Sequence, residues 1–103
     1  MVVAGVRGNV YEARVEMDRE KTDLFLAVLE DRKVHFIGER PSHARWMFPV
    51  KSEMQRDLGT VDIPNNKDTL RDLAEGDVLR VHYPNGKSFS ARILEEPQEY
   101  TGG

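Results

Sequence analysis

The stretch Leu79-Arg80-Val81-His82-Tyr83-Pro84-Asn85-Gly86-Lys87-Ser88-Phe89-Ser90-Ala91-Arg92-Ile93 decides the fold class, because its two halves alternate apolar and polar residues and meet at a turn. Leu79, Val81 and Tyr83 share one face of the incoming half, and Phe89, Ala91 and Ile93 share one face of the outgoing half. This is the period-2 pattern of strands with one buried side. A two-residue Asn85-Gly86 loop would pair Tyr83 with Ser88 and put the two apolar sets on opposite faces, which a half-buried sheet does not accept. A three-residue loop, Pro84-Asn85-Gly86, pairs Val81 with Phe89 and Leu79 with Ala91. That loop is a type I turn followed by a bulge, so the sequence predicts a hairpin with a positive φ at Gly86.

Upstream of this hairpin the same alternation recurs. Tyr11, Ala13, Val15 and Met17 alternate with Glu12, Arg14 and Glu16, as in a strand with one wet face. Leu24 to Leu29 is an unbroken apolar run, short enough for a strand buried on both faces. Val34 to Ile37 reads as its hairpin partner, ended by Gly38, and Ala44 to Val50 reads as a further strand with Trp46 and Phe48 facing the core. Ser52-Glu53-Met54-Gln55 has the form of a capping box, so a helical turn is expected there, stopping at Leu58-Gly59. Val61 and Ile63 suggest a brief strand, and Leu70 to Leu73 a second helical turn that stops at Gly76. The mixed-charge runs Asp18-Arg19-Glu20-Lys21 and Glu30-Asp31-Arg32-Lys33 read as solvated loops. Together these elements imply an all-β, mainly antiparallel domain: a small six- to seven-stranded barrel with one or two short helical turns.

A chain of 103 residues, 39% hydrophobic and 32% charged, has apolar material for one core and is not the composition of a disordered segment. Residues 1–96 are read as the single barrel domain and residues 97–103, acidic and ending in Gly102-Gly103, as a flexible tail. A net charge of −3 gives no overall basic excess for binding nucleic acid or anionic lipid. The absence of cysteine removes disulfides, thiolate metal sites and thiol nucleophiles, and fits a cytoplasmic setting. The first residues lack a leader pattern and no apolar run reaches membrane-spanning length, so neither secretion nor a membrane span is expected.

The chemistry-bearing residues point away from an enzyme. There is no G-x-S-x-G elbow, P-loop or dinucleotide fingerprint. His35 and His82 alternate outward from apolar neighbours and His43 lies near a loop, without metal-ligand spacing, so all three read as surface imidazoles and no metal or cofactor is expected. The segment from Arg40 to Lys51 contains Arg40, His43, Arg45 and Lys51 and no carboxylate, with Trp46 among them. Basic side chains interleaved with aromatics are what a single-strand-binding surface uses. The leading expectation is a non-enzymatic module that binds a protein partner through a barrel face or edge, with Arg40, His43, Arg45 and Tyr83 as contacts. The alternative is single-stranded nucleic-acid binding through Arg40, Arg45, Trp46 and Lys51.

The segment from Gly76 to Ile93 resembles the first hairpin of Tudor-type and related SH3-like barrels: a Gly-Asp start, alternating apolar residues, an aromatic, a glycine turn, then aromatic-x-Ala-x-Ile. The resemblance implies that Tyr83 and Phe89, the aromatics either side of the turn, contribute ring faces to a site that holds a cation. The terminal Gly102-Gly103 is similar to the ending of ubiquitin-like modifiers and sulfur carriers, a further alternative whose fold would need one long helix that this sequence does not offer.

Overall fold

The computed structural model describes residues 9–44 and 57–100. Seven strands run through them: β1 (Tyr11–Met17), β2 (Glu20–Val28), β3 (Val34–Pro41), β4 (Gly59–Asp62), β5 (Val78–His82), β6 (Ser88–Ile93) and β7 (Gln98–Glu99). Each of the first five pairs antiparallel with the next, and β6 returns to pair with β1, so six strands close a barrel. An even number of strands lets this up-and-down order close with every neighbour antiparallel. The seventh strand, β7, adds to the start of β1.

The decisive hairpin has the register its turn requires. Leu79 pairs with Ala91 and Val81 with Phe89. The Tyr83 amide donates to the Lys87 carbonyl at 2.8 Å, the Gly86 amide donates to the Tyr83 carbonyl at 3.1 Å, and Gly86 has φ of 90°. Nothing lies within 4 Å of where a Cβ on Gly86 would sit, so the demand for glycine is conformational. Gly59 is constrained differently: a Cβ there would strike the Phe36 ring and the His82 carbonyl oxygen. It begins β4 opposite Phe36, where the sequence suggested a helix stop.

The apolar run of β2 is buried on both faces, as its composition implied. Leu24 and Leu26 face the barrel interior with Ala13, Val15, Phe36, Leu79, Val81, Ala91 and Ile93, while Phe25 and Ala27 face outward with Ile37 and Val10. The cover over that outer cluster is Tyr100, whose ring meets Phe25 edge-on with centroids 5.2 Å apart. The Tyr100 amide also donates to the Val10 carbonyl at 2.7 Å. Residues 98–100 of the expected flexible tail are therefore tied down, because an outward aromatic on β2 leaves a sticky face for Tyr100 to fill. Gly102 and Gly103 lie outside the described residues.

Further differences from the sequence expectations have local causes. The stretch from Asp18 to Lys21 is not a loop: Asp18 and Arg19, with φ of 52° and 67°, make a two-residue turn between Met17 and Glu20, and Glu20 and Lys21 already belong to β2. β3 does not end at Gly38 but runs on to Pro41 past a bulge, since Leu26 pairs with Phe36 while Phe25 pairs with Gly38. Ala44 lies in a 3-10 helix (Ser42–Ala44), and the rest of the strand expected over Ala44 to Val50, with the helical turn from Ser52, lies outside the described residues. The second expected turn is present as a 3-10 helix (Leu70–Asp72). Its capping box has the Asp72 carboxylate accepting from the Thr69 amide at 3.1 Å and Thr69 Oγ1 accepting from the Arg71 amide at 3.2 Å, and it inserts Leu70 and Leu73 into the interior cluster. Among the described residues, no helix is long and apolar enough to cross a membrane.

Candidate functional site

The bulge at Ile37-Gly38 sets up the site. One extra residue in β3 reverses the in-out parity of everything after it. Glu39 is thereby brought opposite Leu24 and within reach of Tyr83, and Arg40 comes opposite Asp23 on the outer face. Without the bulge these two would exchange faces.

Arg40, expected as a contact residue, is instead committed to the fold. Its side chain is 10% exposed and its Nε donates to Asp23 at 3.2 Å, while Nη2 donates to Glu12 at 2.9 Å. The guanidinium also lies over the Phe25 ring, 5.3 Å from its centroid. Asp23 is fully buried and accepts from the Ser42 hydroxyl at 2.9 Å, with Arg14 Nε at 3.7 Å. Glu12 has its carboxyl pushed above the ordinary value by burial, against the pull of Arg40. A carboxylate in this position needs its cation, so Arg40 is held where it is. Its charge is not on offer to a nucleic-acid backbone.

Tyr83 and Phe89 do come together, and with partners the sequence did not single out. Their rings meet edge to face, with centroids 5.8 Å apart and planes at 86°, and Tyr83 meets Phe36 in the same way at 5.1 Å. The Tyr83 hydroxyl donates to Glu39 at 3.2 Å, and burial first, then the Glu39 charge, pushes its pKa up to about 12. It stays a neutral phenol at any physiological pH. These two half-buried rings line a groove of about 430 Å³ together with Met17, Asp18, Glu20, Glu39 and the stem of Arg40. Three carboxylates thus converge on an aromatic pair from two places, the β1–β2 turn and the end of β3. Asp18 and Glu20 escape a sequence reading because they look like loop charges, and Glu39 because its direction depends on the bulge.

The other expected site residues separate. His43 is exposed and lines a second, wider groove of about 1020 Å³ on the far side of Glu20 and Pro41, with Arg14, Arg19 and Lys21. Arg45, Trp46 and Lys51 lie outside the described residues. His35 is not a surface imidazole: it is 5% exposed, and its two ring nitrogens meet carboxylates, Nδ1 with Asp57 at 2.9 Å and Nε2 with Asp31 at 2.8 Å. His82 is more open and meets Asp62 through Nε2 at 2.8 Å. His35 is outward, as its alternation implied, but the β2–β3 turn and the start of β4 enclose it. Among the described residues, no group of three or more His, Asp or Glu is arranged to hold a metal ion.

Comparison with protein-family models, with curated proteins and with solved structures found no match for this chain.

Proposed function

We propose that the protein is a non-enzymatic interaction module that docks a basic segment of a partner protein in the groove beside Tyr83 and Phe89. The observation that carries this reading is the convergence of Asp18, Glu20 and Glu39 on two aromatic rings, in a groove whose one lining cation among the described residues, Arg40, is already matched by Glu12 and Asp23. Ring faces and carboxylates both favour a cation, the first through the ring quadrupole and the second through charge. The resemblance of residues 76–93 to Tudor-type hairpins of SH3-like barrels points the same way. A cytoplasmic setting belongs to the same proposal and rests on a chain with no cysteine to oxidise.

The magnitudes describe a weak, transient contact. A cation over an exposed ring contributes about 0.5–1 kcal/mol, and each solvent-exposed ion pair about 0.2–1 kcal/mol. Their sum for one lysine or arginine is at most about 4 kcal/mol, so a short peptide binds with Kd of about 1 mM or weaker and a longer segment more tightly. The test is a titration of the ¹⁵N-labelled protein with blocked pentapeptides carrying Lys, Arg, Gln or Glu at the centre. Amide shifts at Asp18, Glu20, Glu39, Tyr83 and Phe89 with the Lys and Arg peptides alone are expected. Equal shifts with the Glu peptide, or none with any peptide at about ten times that Kd, would overturn the reading.

A further inference from the structure

The two grooves on this side of the barrel differ in charge, and they share a wall. Glu20 and Pro41 line both. On the Tyr83 side the surplus is negative. On the other side Arg14, Arg19, Lys21 and His43 face Glu20 and Glu95. Arg14 is consumed by Glu95 at 3.2 Å and by Asp23. The carboxylate across the β1–β2 ladder from Lys21 is Glu16, and it goes to Arg92 at 2.7 Å. Arg19, Lys21 and His43 therefore stand around the wider groove without an ion-pair partner among the described residues.

Among the described residues the surplus is small. With Glu95 matched by Arg14, the two fixed charges of Arg19 and Lys21 exceed Glu20 by one, and His43 adds another when protonated. A nucleic-acid strand brings a charge at every phosphate and is held by many cations at once, so a surplus of one or two does not suit it. A single carboxylate does.

We propose that the wider groove is a carboxylate subsite for the same docked segment, so that the partner carries a basic residue and, a few positions along the chain, an acidic one. The proposal rests on the docking reading above and names its partner more closely. The grooves lie side by side, since Glu20 and Pro41 line both, so the two charges of the partner are separated by a few residues of extended chain. The two-residue β1–β2 turn divides the two subsites, giving Asp18 to one and Arg19 to the other. Both residues are held in left-handed backbone, where neither gains any conformational advantage over glycine.

The experiment compares blocked peptides of the pattern Lys-x-x-Glu, Lys-x-x-Gln and Gln-x-x-Glu by NMR titration, on the natural protein and on the double variant Arg19→Gln/Lys21→Gln. Lys-x-x-Glu is expected to bind roughly fivefold more tightly than Lys-x-x-Gln, the effect of one exposed ion pair, with added shifts at Arg19, Lys21 and His43. The double variant is expected to erase that fivefold difference and leave Lys-x-x-Gln binding unchanged. Equal affinity for the two lysine peptides overturns the carboxylate subsite while the docking reading stands. Failure of both lysine peptides to bind overturns the docking reading and the subsite with it. If Gln-x-x-Glu binds as well as Lys-x-x-Glu, the wider groove is an anion site independent of the aromatic one, and the two-charge partner is wrong.

Discussion

Replacing Arg40 with leucine separates a structural role from a binding role at the residue where sequence and structure disagree most. Asp23 has no exposure at all, and Arg40 supplies its hydrogen bond at 3.2 Å while closing over Phe25. Removing one partner of a buried ion pair costs about 3–5 kcal/mol, because the remaining charge stays in a poor solvent. Here Asp23 keeps the Ser42 hydroxyl at 2.9 Å and has Arg14 Nε at 3.7 Å, so the lower end applies, about 3 kcal/mol. For a domain of this size that corresponds to a fall in Tm of roughly 12–20 °C. Urea unfolding followed by circular dichroism reads it as a lower midpoint at unchanged slope. The double variant Arg40→Leu/Asp23→Leu removes the fully buried carboxylate as well and should recover part of the loss, the remainder staying with Glu12, which still lacks Arg40. A single variant within about 0.5 kcal/mol of the natural protein would refute the reasoning.

His35→Gln tests the two-carboxylate clamp. Burial works against the charged ring, but the hydrogen bonds and charges of Asp57 and Asp31 outweigh it and raise the pKa above 6.5. A raised folded-state value adds stability that is fully present below about pH 6.5 and is lost as pH climbs through the folded value, so the gap between natural protein and variant should narrow from about pH 6.5 upward; a gap that widens contradicts this. Tyr100→Ala uncovers Phe25 and Ile37 and is expected to cost about 2 kcal/mol in urea unfolding, where a free tail would cost nothing. Arg19→Gly relieves a left-handed residue and should raise stability by about 1 kcal/mol, while lowering affinity for Lys-x-x-Glu peptides but not for Lys-x-x-Gln. A variant that is neither more stable nor weaker in binding would remove the strained turn from the account.

The barrel could be read from sequence where burial is one-sided and turns carry their own chemistry. Pro84-Asn85-Gly86 fixed a register because one shift would have inverted every apolar residue, and the alternation of Tyr11 to Met17 needed no partner to be recognised. The site was half legible. Tyr83 and Phe89 stood out as aromatics flanking a turn, but the carboxylates around them did not, because Asp18 and Glu20 look like loop charges and the direction of Glu39 comes from the bulge. A bulge is invisible to a period-2 reading: Gly38 looks the same whether it ends a strand or marks where the partner strand slips by one. The same slip sends Arg40 outward to Asp23. The tail was misjudged for a different reason, since Tyr100 is tied down by an outward-facing Phe25 that is more than seventy residues away in sequence.

The central claim is that Tyr83 and Phe89 receive a basic side chain from a partner. Intermolecular nuclear Overhauser effects measure this directly, between the ε-methylene protons of a bound Lys-x-x-Glu peptide and the protein's ring protons. The account predicts contacts to the rings of Tyr83 and Phe89 that vanish when Glu39 and Asp18 are replaced by their amides. Contacts to other residues in place of these two rings, or none from a peptide shown by titration to be bound, would contradict it.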